Sequence, residues 1–536
     1  MENNIKIDKD KLIQELKQLH KQLVNVYDEI FEYKFSTDQE FIDFIESQYT
    51  DEGIAKKDRE AWNKNYCHRA AYTLLNKILF IRICEDKGFM TREEDYVVGE
   101  LENEHAGQKL SKKGLEKWKT LITKSTFGEL VNFAFADMKK SYNNISLYKQ
   151  EKYDALNPTE EEFDLYYVDL EVDKRNVKLI KKFDDVLDIV IKKLGKDRNF
   201  KVIDSNILGD VYEKFMDRET RKAVGQFYTP EFVIEYILNN TVAEADVLEN
   251  PFVTVADIAC GSGHFLTMAY DILRRKFKDN LASLQVKYAN EIYTIKKNGK
   301  DQEITGKQYW QEKNIHYHLL KNCIYGADID SFAVQLATIN LLLKDLDNFT
   351  DELNIIEADS LIRWEEEYDL DELKKELQKK HETVTVRQVN WLGEEEKRKV
   401  TQKKQKVNLK HQSGKVEVIT KEKAKEVVKL CSFFNTTFEY VLGNPPYIRH
   451  EKIKNKTYLS KNYDVFNNIS DIYTYFFERG MAMLNRNGKL GFITSNKFTR
   501  TNYGKELRSF LSNKFTIGVC QESCRIKIKK FYELPC

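Results

Sequence analysis

Proline is scarce in this chain, with six in 536 residues, and two of the six stand side by side at Pro445 and Pro446. The N-terminal third therefore has almost no helix breaker, while the paired prolines mark one deliberately stiff corner. Net charge is also missing: Lys plus Arg and Asp plus Glu both number 86. No global basic field announces a polyanionic partner, so any nucleic-acid contact has to come from local patches. The eight cysteines, Cys67, Cys84, Cys260, Cys323, Cys431, Cys520, Cys524 and Cys536, form no CxxC pair. They read as structural thiols in a reducing cytoplasm, with no metal expected at the functional site. No run approaches ~20 apolar residues, and the polar start MENNIKIDKDKLIQELKQLH lacks a signal-peptide core. The expectation is a cytoplasmic protein with no membrane segment.

What is present changes texture along the chain. From Lys9 to about Leu194 apolar residues recur at three- and four-residue spacing, as in LIQELKQLHKQLVNVYDEIFEY and AAYTLLNKILFIRICEDKG, which predicts a helical layer over residues 1–200. From about Phe252 short β-rich runs alternate with helical ones: VTVADIA, CGSGHFLTMAYDILRR, CIYGADID, SFAVQLATINLLLKDL, NIIEADSL. That rhythm predicts an α/β fold, a doubly wound parallel sheet, with ligands at the carboxyl ends of its strands. Two stretches break the rhythm. Residues 280–321 read as an insertion with a hairpin at KKNGK. Residues 365–429 are dominated by charge and have two readings, a solvated helix pair with a loop, or a basic flap against a phosphate backbone.

Four strand ends carry chemistry. In DIACGSGHFL, Gly261 and Gly263 allow a tight turn and close backbone approach to a nucleoside ligand, and Asp257 suits a ligand with an ammonium group better than a pyrophosphate. GADID puts an acid at the next strand tip, placed for two ribose hydroxyls. IIEADSL does the same with Asp359, suited to an exocyclic amino group. In VLGNPPYIRH, Pro445 and Pro446 stiffen the turn and push Asn444 out of helical conformation. The Asn444 carboxamide and the Pro445 carbonyl then offer two acceptors to one amino group, and Tyr447 offers a stacking face.

The ordered set GQFYTP, DIACGSG, GADID, EADS and NPPY resembles the bacterial DNA adenine-N6 methyltransferases in which cofactor motifs precede the catalytic one, as in type I modification subunits and type IIG enzymes. The resemblance spans roughly residues 200–515 and implies a Rossmann-like sheet that uses S-adenosylmethionine. It implies that Phe227, Tyr228 and Thr229 flank the methionine moiety, and that Asp257 meets the ammonium. Ala259, Gly261 and Gly263 would line the methionine region, Asp328 with Ile329 the ribose side, and Asp359 the adenine. Asp330 is expected to cap the following helix. Asn444, Pro445, Pro446 and Tyr447 would hold a target adenine flipped out of double-stranded DNA. Cys260 reads as a packing residue.

Departures from that family's plan are expected at two places. Residues 516–536 lose the strand-helix alternation, and neither a further aromatic hairpin nor a target recognition domain is seen after residue 515. Sequence choice would then fall to a separate specificity subunit, with cleavage in a nuclease subunit; the other expectation is a defective fragment of a longer gene. Glu85-Asp86-Lys87 has the letters of a nuclease motif but is expected to end a helix. Other readings of the same corner are methylation of RNA or of a protein glutamine, and a non-catalytic DNA-binding or assembly subunit.

Overall fold

A computed structural model describes residues 9–51, 59–88, 109–112, 114–116, 126–141, 148, 152–164, 174–196, 200, 229–297, 300–345, 348, 350, 352–378, 381–389, 395–403 and 406–514. The chain divides into two compact units, Met1–Asp217 with Thr338–Asp351, and Arg218–Ala337 with Glu352–Cys536.

The first unit is helical. Helix α1 spans Lys9–Thr37, α2 Arg59–Asp86 and α3 Lys174–Ile191. On α1 the residues Leu12, Leu16, Leu19, Leu23, Tyr27 and Ile30 are buried, the stripe that its three- and four-residue spacing dictates. Helix α2 has no such stripe over its second half because it is buried all round from Ala70 to Glu85, the mark of a central helix. Its internal charges are consequently paired: Lys77 meets Asp154 at 2.6 Å, and Arg82 meets Glu85 at 2.7 Å and Asp86 at 2.8 Å.

The second unit is built on five strands: β1 Val255–Asp257, β2 Ile324–Asp328, β3 Asn354–Glu357, β4 Phe438–Gly443 and β5 Leu484–Phe492. All pairings are parallel, and the order across the sheet is β5-β4-β1-β2-β3. The connections carry helices α4 His264–Lys287, α5 Ser331–Leu342, α6 Lys421–Asn435 and α7 Tyr473–Ala482. Buried Ala256, Phe438 and Val441 share one core with Tyr473, Tyr475 and Phe476 of α7. Burial of β1, β2 and β4 explains why they read as short apolar runs instead of alternating ones. The chain winds outward from β1 to β3, then crosses to the other side of β1 to make β4. That reversal leaves a crevice at the carboxyl ends of β1 and β4.

Both interruptions differ in detail from their sequence reading. NLASLQVK contains no breaker, and α4 runs through it to Lys287, so the first departure starts later than residue 280. A hairpin then follows, with Ile292–Lys297 paired to Lys300–Thr305 around the Asn-Gly step. The charged stretch is not a helix pair with a loop. It folds as a helix Leu370–Gln378, two antiparallel hairpins over His381–Lys403 and Lys406–Thr420, and α6. In KVNLK the alternating Val407 and Leu409 are buried, and Gly414 turns with φ of 85°. They join Leu373, Ala424, Val427 and Cys431 in a small separate core, which charge counting alone hides. The NRNGK stretch lies within β5 as an irregularity. Phe438 pairs with Leu484 and Tyr440 with Lys489, so Asn485 to Gly488 bulge out of register.

Candidate active site

Reading across the sheet, the strand ends present Asn444 after β4, Asp257 on β1, Asp328 on β2 and Asp359 just past β3. Residues up to 187 positions apart in sequence thus form one row along the crevice. Parallel pairing makes this row inevitable once the strand order is set, since every strand points the same way.

At the centre, Asp257 is 2% exposed and its Oδ1 accepts from the Ala259 amide at 3.0 Å. Burial pushes its carboxyl up to about 8; the Ala259 hydrogen bond opposes this and the nearby Asp328 charge adds to it. A carboxyl in this condition favours a cationic partner, which would restore its charge. The turn that follows is left-handed at Gly261, with φ of 52°, and at Gly263, with φ of 84°. A Cβ at Gly263 would lie 3.0 Å from that of Ala337, whereas one at Gly261 would enter open space. The turn therefore packs closely on one side and is open on the other. Cys260 is buried within it, and burial followed by the Asp328 and Asp257 charges pushes its thiol well above the ordinary value. It is a packing thiol that stays protonated near neutrality.

Asp328 ties two strand ends together. Its Oδ2 accepts from the Gly261 amide at 2.9 Å and its Oδ1 from the Asp330 amide at 2.9 Å. Burial raises its carboxyl to about 6 against those hydrogen bonds. Beside it Ile329 is 71% exposed, an apolar side chain left in solvent next to a strand end. Asp330 accepts from the Phe332 amide at 3.2 Å and begins α5 as a cap. Asp359 is half-buried; its Oδ1 accepts from the Leu361 amide at 3.0 Å, and burial raises its carboxyl.

The proline corner is braced from two directions. Asn444 Nδ2 donates to Thr229 Oγ1 at 3.0 Å, which fixes the orientation of the carboxamide. The Ile493 amide donates to the Gly443 carbonyl at 3.1 Å, and the Tyr447 hydroxyl donates to the Ile493 carbonyl at 3.2 Å. Pro445 is buried, while Pro446 and Tyr447 are half-buried. The end of GQFYTP and the NPPY corner are therefore in direct contact through Thr229 and Asn444. Phe227 and Tyr228 lie outside the described residues, as does the stretch 516–536.

One site residue escaped the sequence reading. Gly443 adopts φ of 149°, and a Cβ there would sit 2.6 Å from Asp257 Oδ1. The glycine before Asn444 lets β4 close against the central carboxylate. Its signal in VLGNPPY was present but overshadowed by the prolines. Among the described residues, no group of three or more His, Cys, Asp or Glu is arranged to hold a metal ion, and no helix is long and apolar enough to cross a membrane.

Comparison with known proteins finds family, sequence and structural likenesses. Residues 203–386 match the family described as N-6 DNA Methylase, and residues 322–521 match the Eco57I restriction-modification methylase family. The chain is 26% identical over 349 residues to the Escherichia coli type II restriction enzyme and methyltransferase RM.Eco57I, covering 59% of this chain and 29% of that protein. It is 35% identical over 82 residues to the type II methyltransferase M.BstVI of Geobacillus stearothermophilus, 15% of each chain. The chain thus spans less than a third of the length of these curated relatives. Among solved structures, the type IIL restriction-modification enzyme MmeI in complex with DNA aligns with a TM-score of 0.44 at 14% identity, over 96% of this chain and 56% of that one. A type I methyltransferase subunit from Streptococcus thermophilus aligns with a TM-score of 0.37 at 13% identity, over 92% and 78%.

Proposed function

We propose that this chain, whose residues 203–386 and 322–521 match two methylase family models, is a DNA methyltransferase that transfers a methyl group from S-adenosylmethionine to the exocyclic amino group of adenine in double-stranded DNA. The observation that carries the reading is the row Asn444, Asp257, Asp328, Asp359 along one crevice, with the Thr229 to Asn444 bond joining its two ends of function. Residues 1–200 would serve as a helical companion to a methyltransferase domain over 201–515. Separate specificity and nuclease subunits are proposed partners, and the cytoplasm is the proposed location.

The crevice fits the cofactor's groups. Asp257, whose carboxyl burial raises, suits the α-ammonium, which would favour its ionised form. The open side of Gly261 leaves room for the methionine part, with Ala259 and Gly263 shaping the turn. Asp328 and Ile329 suit the ribose side, and Asp359 the adenine amino group. Phe227, Tyr228 and Thr229 are proposed to flank the methionine moiety. The cofactor supplies an electrophilic methyl on a sulfonium, so no enzyme nucleophile is required.

The protein's part is positioning. A target adenine in a duplex is inaccessible and must leave the stack, at a cost of a few kcal/mol. Tyr447 would offer the ring on which the base restacks. Asn444 and the Pro445 carbonyl would accept hydrogen bonds from the amino group, drawing its lone pair out of conjugation and aiming it toward the donor. Pro446 keeps the corner stiff while this happens.

Incubating the chain with tritiated S-adenosylmethionine and DNA, RNA or protein acceptors, alone and with neighbouring gene products, tests the reading. N6-methyladenine in DNA is the expected product. Cofactor binding with no transfer to DNA under any of these conditions would overturn it in favour of a non-catalytic subunit, and label in RNA or protein would redirect it.

A further inference from the structure

Beyond Asp359 three successive backbone carbonyls, at Ser360, Leu361 and Ile362, turn into the protein, and each is met by a side chain from far downstream. Arg479 Nε donates to the Ser360 carbonyl at 3.0 Å and its Nη2 to the Ile362 carbonyl at 3.4 Å. The Tyr463 hydroxyl donates to the Leu361 carbonyl at 2.7 Å. Arg479 is 1% exposed and lies on α7, with its guanidinium 4.9 Å from the centre of the Phe434 ring. Its charge is answered in the short helix Trp364–Glu367 that follows, where both carboxylate oxygens of Glu365 take its two terminal nitrogens at 2.5 and 2.8 Å.

This is a use that suits arginine alone. A planar fork reaches two carbonyls and a bidentate carboxylate at once, whereas a lysine ammonium is a point charge with no fork. The consequence for Asp359 is direct. Its carboxylate is held by the Leu361 amide at 3.0 Å, and its own carbonyl accepts from the Trp364 indole at 2.9 Å. Leu361 lies between the two residues whose carbonyls Arg479 grips, so the amide that aims the Asp359 carboxylate is fixed only as well as that grip holds. Helix α7 is itself anchored to the chain leaving the proline corner, where the Ile472 amide donates to the Ile448 carbonyl at 2.9 Å.

We propose that Arg479, clamped by Glu365, is a positioning residue for cofactor affinity: it holds the Ser360–Ile362 turn so that the Asp359 carboxylate faces the adenine amino group. The inference rests on the cofactor assignment of the preceding section. A purely architectural arginine would lower thermal stability and leave the affinity of folded protein alone. A positioning arginine changes affinity, and its effect merges with that of Asp359.

The test measures S-adenosylhomocysteine binding by calorimetry and S-adenosylmethionine kinetics on the full chain. Arg479→Lys is expected to raise the Kd and the cofactor KM about tenfold, with kcat at saturating cofactor within about threefold of the unaltered chain. Tyr463→Phe removes one hydroxyl from the same turn and is expected to weaken binding by roughly threefold. Asp359→Asn added to Arg479→Lys should weaken binding by less than about twofold beyond Asp359→Asn alone, the signature of a shared path. If Arg479→Lys does not fold, Tyr463→Phe decides alone. Unaltered affinity in the folded variants, or fully additive losses with Asp359→Asn, overturns the clamp. Failure of the unaltered chain to bind S-adenosylhomocysteine would instead remove the cofactor assignment and the clamp with it.

Discussion

Gly443 and Asp257 are held so close that a single added carbon would not fit: a Cβ on Gly443 would sit 2.6 Å from Asp257 Oδ1. The corner proposed to hold the target base and the carboxylate proposed to hold the cofactor ammonium thus share one van der Waals boundary. Gly443→Ala must either displace the carboxylate or open β4 from β1, in a backbone conformation of φ 149° that alanine resists. Overpacking of this kind costs about 1–3 kcal/mol. Part of that should appear as weaker S-adenosylhomocysteine binding, roughly five- to a hundredfold, in a protein whose circular dichroism is unchanged. Wild-type affinity in a folded Gly443→Ala protein would show that the contact does not matter.

Cofactor affinity should depend on pH through the same carboxyl. Burial raises Asp257 to about 8 and Asp328 to about 6, so the folded protein without ligand holds protons that the unfolded chain has released. Such a group stabilises the fold fully below the unfolded carboxyl range near about 4, and that contribution falls away as pH rises through its folded value. An ammonium ligand requires the ionised form and so expels the proton on binding. The expected outcome is a Kd that decreases between pH 6 and 8, by at most about tenfold per pH unit, with proton release detected as a buffer-dependent binding enthalpy. Asp257→Asn should bind weakly at every pH and lose this slope. A Kd that is level across that range would contradict the assignment.

Around the proline corner, the separate contributions can be ranked. Asn444→Ala removes the amide and should cut methyl transfer by about 10²–10³-fold with cofactor Kd nearly unchanged, the size seen when one preorganised polar group is deleted. Thr229→Val keeps the amide but removes the oxygen at 3.0 Å that orients it, so a smaller loss of about tenfold is expected. Tyr447→Phe retains the ring and loses the hydroxyl that donates to the Ile493 carbonyl, and should transfer methyl at nearly the parental rate. Tyr447→Ala should not. Single-turnover assays separate these effects from product release, and equal rates in Asn444→Ala and the parent would refute the role given to the corner.

The fold and the four strand ends along the crevice could be read from sequence because β1 to β4 are each a short apolar run closing on an acid or on Asn-Pro-Pro, and strand ends in a parallel sheet converge by geometry. What could not be read has physical reasons too. Gly443 matters through a neighbour across the sheet, Asp257, and sequence carries no record of which strands lie side by side. Arg479 and Glu365 sit 114 residues apart and look like ordinary surface charges in FFERG and RWEEE. Charge likewise concealed the small core of Leu373, Val407 and Leu409, whose alternation is only five residues long in KVNLK. Thr229 was read as a neighbour of the cofactor, but its bond to Asn444 depends on a contact 215 residues away.

The acids of ICEDKG also have an identifiable task, and it is structural. Arg82, 1% exposed, takes Glu85 Oε2 at 2.7 Å and both oxygens of Asp86 at 2.8 and 2.9 Å, while its Nε donates to the Leu194 carbonyl at 3.1 Å. Glu85 Oε1 also accepts the Leu110 amide at 2.8 Å, and Asp86 accepts the Phe200 amide at 2.7 Å. Arg82 and those carboxylates together tie four segments of the helical unit, and magnesium binding would have to break that network. Arg82→Met should strand the buried Glu85 and half-buried Asp86 carboxylates and destabilise the helical unit by about 3–5 kcal/mol, measured by urea denaturation followed by circular dichroism. Glu85→Gln keeps the shape but weakens the pair, and should fall between the parent and Arg82→Met. Millimolar magnesium should leave the melting temperature of all three proteins unchanged, and a magnesium-dependent rise confined to the parent would identify a metal site where an ion-pair network is expected.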